Sequence, residues 1–296
     1  IQEPLKQEPL KYSRTALSLY ETLATYYVQI DKSDSALLSM QKAIPLLKLQ
    51  NIDNEFKGRI NQSLGNLYLL ENKLKEAKRN FDLSEGFFLR SQHRQFFFLS
   101  GLYLAYAELY KKQGSLDLAL EYCSRAIDKL VLKFNPDADG NPNLVNVLSK
   151  KQLFSVLQKK SRLEEKLFIA GKNIKVLQKA FNTNQLSLAL LDSTANEFSL
   201  DKDKIILSEQ SYSAFEDGIR ISNALYQNTG DEKYFTNVIS LIEKSKGNLL
   251  LENLRLVNRF SGIKQEWLER EKELKAEMLL TEELIYQTEQ NASKSN

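Results

Sequence analysis

Few residues in this chain have the type and spacing needed for chemistry. A nucleophilic dyad requires a thiol or hydroxyl beside a base, and the sequence holds one cysteine, Cys123, and one histidine, His93. Cys123 lies in an apolar helical pattern, where a buried thiol is inert, whereas His93 lies in a polar connector. We therefore predict no catalytic site and, with a single histidine and a single cysteine, no zinc site.

Two short motifs imitate ligand-binding loops. Asp137-x-Asp139-Gly-Asn141 has the spacing of the first calcium ligands in an EF-hand loop, but Pro142 replaces the required glycine and Leu148 the bidentate glutamate. We predict a solvated turn there. Lys244-Ser245-Lys246-Gly247 resembles part of a phosphate-binding loop but lacks the glycine-rich lead-in after a strand. We therefore predict that the chain binds no metal, nucleotide or other cofactor.

The charge balance does not favour nucleic acid or an anionic membrane as partner. Lys and Arg number 41 against 38 Asp and Glu, a net charge of +3, which creates no large field. The sequence contains no run of about 18 apolar residues, so we predict no membrane span. Lys159, Lys160 and Arg162 form a small basic cluster, which we interpret as a solvated helix face. A nucleic-acid-linked regulator that uses these three cations is the alternative, and it would bind with steep salt dependence.

The elements that must position any site form a helical repeat. Residues 58–90 contain Leu64-Gly65-x-x-Tyr68 and then Ala77-x-x-x-Phe81, a small/large alternation that resembles the tetratricopeptide repeat (TPR). Gly65 and Ala77 are small, so two antiparallel helices can approach closely, while the larger side chains fill the space around the crossing. One such unit therefore predicts a helical hairpin.

The same frame recurs on both sides of this unit. The frames begin at residues 17, 58 and 100, so successive units are offset by 41 and 42 residues, against about 34 in a basic repeat. The equivalent positions are Leu23, Ala24, Tyr27, Ala36, Met40 and Ala43 upstream, and Tyr106, Ala107, Tyr110, Gly114, Ala119, Cys123 and Ala126 downstream. Three hairpins in series predict an all-α, TPR-type α-solenoid with a C-terminal linking helix.

Proline and glycine divide the rest of the chain. We predict three TPR units over 1–133, preceded within that range by an extended, Pro-containing lead-in over residues 1–10. A connector loop follows over 134–142, then two long degenerate TPR-like hairpins over 143–256, and a linking or capping helix with a tail over 257–296. Pro45 should end or kink the second helix of the first unit. The helices predicted after the connector span about 149–169, 173–197, 202–227, 231–256 and 264–289, with turns at Gly171, Gly230 and Gly262. The last of these helices carries the single tryptophan, Trp267.

A TPR array binds partners along the wall formed by the first helix of each repeat. The frames place nine mostly polar side chains on this concave wall, where they could hold a peptide partner, although the alternative that they are merely solvated stays open. The predicted protein-binding groove consists of Glu21, Thr25, Gln29, Arg59, Gln62, Asn66, Leu104, Glu108 and Lys111.

The second half carries a more specific resemblance. Asn141-Pro-Asn-Leu144-x-x-Val147-x-Ser149, then Tyr226-x-x-Thr229-Gly-Asp231-x-x-Tyr234, and then Ile242-Glu-Lys-Ser245-Lys246-x-x-Leu-Leu-Leu-Glu252 resemble the TPR region of bacterial CHAT-domain proteins. CHAT domains are caspase-like cysteine peptidase modules that follow a TPR region. The resemblance covers nearly the whole chain and implies that a peptidase would lie beyond Asn296.

The resemblance implies a function without catalysis in these residues. The chain would be the regulatory scaffold of a caspase-like protein in the bacterial cytoplasm, with a partner protein in its groove and the downstream peptidase under its control. A freestanding TPR adaptor that binds peptide segments, with no enzyme attached, is the alternative.

Overall fold

The chain folds into α-helices. The computed structural model describes residues 8–48, 52–91, 95–194 and 201–260, together with Glu269, Arg270, Glu273, Leu274 and Glu277. The helices are α1 (Glu8–Gln29), α2 (Ser33–Ala43), α3 (Asn54–Leu70), α4 (Leu74–Phe88), α5 (Gln95–Lys112), α6 (Leu116–Leu130), α7 (Lys150–Gly171), α8 (Ile174–Thr194), α9 (Asp201–Thr229) and α10 (Glu232–Phe260). The described residues contain no β-strand, only an isolated bridge between Val131 and Val147.

The first six helices pair as the three predicted hairpins, α1 with α2, α3 with α4 and α5 with α6. Each hairpin turns through one left-handed residue at the same position of the frame: Asp31 (φ 57°), Asn72 (φ 60°) and Gly114 (φ 78°). The next amide in each turn donates to a carbonyl five residues back, at 2.8, 2.8 and 2.9 Å. This repetition of a helix C-cap confirms the frame and its offsets.

The second hairpin is held by two contacts between a glycine and a phenylalanine. A Cβ added to Gly65 would lie 2.5 Å from Cδ1 of Phe81, and a Cβ added to Gly58 would lie 2.5 Å from Cδ1 of Phe88. Both rings have no exposed surface. The hydroxyl of Ser84 also donates to the carbonyl of Gly58 at 2.8 Å. The predicted role of Gly65, a close approach of two helices, is confirmed.

The prolines act at helix ends. Residues 8–10 already belong to α1, so the prediction of an extended lead-in through residue 10 is wrong in that part. Pro9 falls in the first turn, where its missing N–H has no helical partner to lose and its φ suits the helix. Pro45 has the predicted effect, because α2 ends at Ala43 and a short 3-10 helix, Ile44–Lys48, follows.

The four long helices after the connector are confirmed to within four residues at each end. The turn after α7 is made by Lys172 (φ 53°) rather than by the predicted Gly171, and Gly230 (φ 68°) separates α9 from α10 as predicted. The predicted helix 264–289, with Trp267, lies largely outside the described residues.

The chain divides into two compact units, residues 1–183 and residues 184–296, and the boundary lies inside α8. In the second unit α9 packs on α10, and the Ser222 hydroxyl donates to Asn237 at 3.0 Å.

Candidate protein-binding face

The first helices of the hairpins form one layer within residues 1–183. α1 contacts α3, α3 contacts α5, and α5 contacts α7. This layer, called here the A-helix face, carries all nine residues of the predicted groove on consecutive helices. Thr25, Gln29 and Asn66 are exposed, while the other six are half-buried. The structure therefore brings the nine residues onto adjoining helices; that they bind a partner stays a proposal.

At α1 and α3 the face carries an ion pair between repeats. One carboxylate oxygen of Glu21 pairs with the Arg59 guanidinium, and the hydroxyl of Ser63 donates to the other oxygen at 3.4 Å. The Arg59 guanidinium also lies over the ring of Phe56, 5.3 Å from its centroid. Because Arg59 is held by a charge and by a ring, its position is fixed before any partner arrives.

At α5 and α7 one carboxylate holds two ammonium groups. Glu108 pairs with Lys111 on its own helix and with Lys159 on α7, the latter at 2.7 Å. Partial burial acts to raise the pKa of Glu108, but the hydrogen bonds and charges of the two lysines outweigh it and lower that pKa. Glu108 is therefore ionised at neutral pH, and it links α5 to α7.

Between these charged pairs the face presents neutral polar groups. Neither Gln62 nor Asn66 makes a side-chain hydrogen bond within the described part of the chain, and Thr25 bonds only the carbonyl of Glu21 in its own helix, at 3.0 Å. The amide side chains thus present both donors and acceptors to an incoming group. The frames missed Ser63 and Lys159, which complete the two charged clusters. The sequence indicated Lys159 only as a member of the basic cluster with Lys160 and Arg162.

The interpretation of Lys159, Lys160 and Arg162 as a solvated face is wrong for its central member. Only 3% of Lys160 is exposed, and Lys159 is engaged by Glu108. Burial of one cation and pairing of another remove the basic patch on which the nucleic-acid alternative depended. Asn141 is also buried, so the turn at Asp137–Asn141 is only partly solvated.

The thiol is placed where the sequence predicts it. Cys123 has no exposed surface, and burial raises its pKa to about 12, so the thiolate that would act as a nucleophile does not form at neutral pH. His93 lies outside the described residues. Among the residues that are described, no helix has both the length and the apolarity to cross a membrane.

The repeated turns, the small/large contacts and the layer of first helices define an all-α helical-repeat protein of the TPR type. Among solved structures, nearly identical TPR-like repeats of a kinesin light chain candidate from Podospora anserina superpose with a TM-score of 0.51 at 13% identity, over 79% of this chain and 97% of that one. PilF of Pseudomonas aeruginosa gives a TM-score of 0.43 at 13% identity, over 87% and 99%. No family model matches the sequence, and no curated protein matches it either. At these identities the likeness concerns the fold alone.

Proposed function

We propose that this chain is a protein-interaction scaffold and that an extended segment of a partner protein binds along the A-helix face. One observation carries the proposal: three successive first helices present mostly polar side chains on a single layer. Stacked helical repeats offer such extended surfaces, which suit a long segment better than a compact ligand.

The distribution of charge indicates how the segment is recognised. Glu21 and Arg59 neutralise each other, and Glu108 is shared by two lysines, so the charges on the face are largely satisfied within the chain. The amides of Gln62 and Asn66 make no side-chain hydrogen bond with the residues that the structure describes. We expect them to bond the peptide groups of an extended segment, which makes binding tolerant of salt and only loosely dependent on sequence.

A random peptide library displayed on phage tests this mode. A synthetic peptide that the full chain selects is titrated against the wild type and against Gln62→Ala/Asn66→Ala. Loss of two interfacial hydrogen bonds should weaken binding by about tenfold to a hundredfold. The matched control is Lys75→Ala/Arg79→Ala, two exposed side chains on α4 of the same repeat, which should change affinity by less than about twofold. Equal effects of the two double variants would place the peptide off this face.

We further propose that the scaffold is the regulatory TPR region of a bacterial, cytoplasmic protein whose caspase-like CHAT peptidase follows it in the chain. The support is the resemblance of the segments that begin at Asn141, Tyr226 and Ile242. A freestanding adaptor is the second candidate, and it shares the A-helix face but has no peptidase to regulate.

A thiol-directed covalent probe on the natural full-length protein separates these two candidates. Cys123 is buried and protonated, so it should stay unlabelled in the folded chain. Labelling of a cysteine beyond Asn296, mapped by mass spectrometry, supports the regulatory region of a peptidase. If the full-length protein has no reactive cysteine there, the peptidase link fails and the adaptor is the better description.

A further inference from the structure

The connector between α6 and α7 contains a loop that is closed on itself. The Asp137 carboxylate oxygen Oδ1 accepts from the amides of Asp139 and Asn141, both at 2.8 Å. The Asp137 amide donates to the carbonyl of Asn141 and the Gly140 amide to the carbonyl of Asp137, both at 3.0 Å. Gly140 has a φ of 72°, which suits glycine. The carboxylate that would be the first calcium ligand is thus already engaged by the loop's own backbone.

An ammonium group lies where this loop meets α7 and α8. Lys160 Nζ lies 2.8 Å from the carbonyl oxygen of Asp139, 2.6 Å from Oδ1 of Asn141, 3.0 Å from a carboxylate oxygen of Glu164 and 3.3 Å from the hydroxyl of Thr183. These four oxygens come from a carbonyl, an amide, a carboxylate and a hydroxyl, the ligand types that hard cations prefer. The side chains of Lys160 and Glu164 are each only 4% exposed.

The oxygens of this cage are oriented by one another as well as by the cation. The Thr183 hydroxyl donates to Oδ1 of Asn141 at 3.0 Å, so its oxygen lone pairs face Lys160. On the outside of the loop, Asn182 donates to the Asp139 carboxylate at 2.6 Å. A charge is costly to bury unless it is paired and fully hydrogen-bonded, and the ammonium group uses its three donors within this cage.

We propose that the Lys160 ammonium is a built-in cation that clasps the connector to α7 and α8. It replaces a loop-bound metal ion, because oxygens from the loop and from two helices surround it. The connector therefore needs no calcium ion to keep its conformation. Lys160 is a positioning residue that fixes the connector against α7. The adjacent residue of α7, Lys159, belongs to the A-helix face. The inference stands independently of the proposed function, since it rests only on this cage.

Hydrogen exchange of the connector amides in the full chain tests the clasp. The variant Lys160→Met/Glu164→Gln removes both buried charges together, so that neither is left unpaired, and keeps similar side-chain volumes. Because the Asp139 carbonyl and Oδ1 of Asn141 lose their charged donor, we expect the amides of 137–141 to exchange on the order of a hundredfold faster than in the wild type, while those of α3 and α4 keep their protection. The matched control is Lys159→Met, which removes the neighbouring half-buried cation, a partner of Glu108 rather than of the cage, and should leave these amides within about twofold.

Three results would overturn the proposal. One is wild-type exchange of 137–141 in the double variant, and another is an equal acceleration in Lys159→Met. The third is faster exchange of the wild-type connector after calcium is chelated, which would mean that a metal holds the loop.

If the double variant loses protection in α3 and α4 as well, the variant Asn141→Ala provides the test instead. It removes the loop oxygen Oδ1 that accepts from Lys160 and leaves both charges in place. We then expect exchange about tenfold faster within 137–141 alone, and an unchanged rate there would refute the clasp.

Discussion

Gly65 gives the sharpest test of how the repeats are packed. In Gly65→Ala the new Cβ would lie 2.5 Å from Cδ1 of Phe81 and 3.2 Å from the carbonyl oxygen of Ala77, whereas carbon atoms normally sit about 3.5–4.0 Å apart. The Phe81 ring must therefore retreat by about 1 Å. It has little room to do so, because it is fully buried and tilted against Tyr106 at a centroid distance of 5.3 Å.

The expected magnitude is a difference between two opposing terms. Overpacking a tight core costs about 1–3 kcal/mol, and alanine recovers about 1 kcal/mol over glycine inside a helix. We expect Gly65→Ala to lower the free energy of unfolding by up to about 2 kcal/mol. In Gly86→Ala, the matched control on α4, the nearest atom is Nη2 of Arg90 at 3.6 Å. That variant should gain about 0.5–1 kcal/mol, so the two substitutions should differ in sign.

Urea unfolding followed by far-ultraviolet circular dichroism measures both variants. Phe81→Leu should cost less in the Gly65→Ala background than in the wild type, because the smaller side chain relieves the contact, with a coupling of at least about 0.5 kcal/mol. If Gly65→Ala is as stable as Gly86→Ala, the close approach of α3 and α4 does not limit the size of residue 65, and the packing argument is refuted.

Three further predictions concern single groups. Tyr106→Phe removes the hydroxyl that donates to Asp82 at 2.7 Å, and urea unfolding should show a loss of about 1–2 kcal/mol; no loss would mean that this bond between repeats contributes nothing. Asp53→Ala removes the N-cap of α3, which accepts from the amide of Phe56 at 2.9 Å, and should cost about 1 kcal/mol, with Asp53→Asn nearly neutral. Burial raises the pKa of Cys123 to about 12, so the folded chain keeps a proton that the unfolded chain releases, and stability should fall as pH rises above about 9. Cys123→Ala should show a shallower fall between about pH 9 and pH 10, and an identical slope would contradict the raised pKa.

The repeat was predictable because its determinants are local in sequence. The spacing of Gly65 and Phe81 specifies a helix crossing, and the left-handed residues Asp31, Asn72 and Gly114 recur at one frame position. Such periodic small and large residues indicate how a pair of helices packs. The frames also placed the nine groove residues on successive first helices, three per repeat, because equivalent positions of the frame fall on the same side of each helix.

The buried cation was not predictable in the same way. Lys160 is adjacent to Lys159 and close to Arg162 in sequence, and a run of cations on a helix normally indicates a solvent-exposed face. Apart from Glu164, one turn along α7, its partners lie 19 to 23 residues away, in the connector and on α8. Only the path of the chain brings them together. The one available signal was Asp137-x-Asp139-Gly-Asn141, a loop with the spacing of a cation site.

The two neighbouring lysines of α7 together explain why the A-helix face can be formed before a partner arrives. Adjacent residues of an α-helix point about 100° apart, so Lys159 reaches Glu108 on α5 while Lys160 enters the cage at the connector. Contacts in two directions restrain the rotation of α7 about its own axis. Because this surface is already ordered, little free energy is lost in ordering it when a partner binds. The proposed clasp would therefore act on partner binding only through α7: releasing the connector should weaken binding at the α5–α7 end of the face and leave the Gln62 and Asn66 contacts intact.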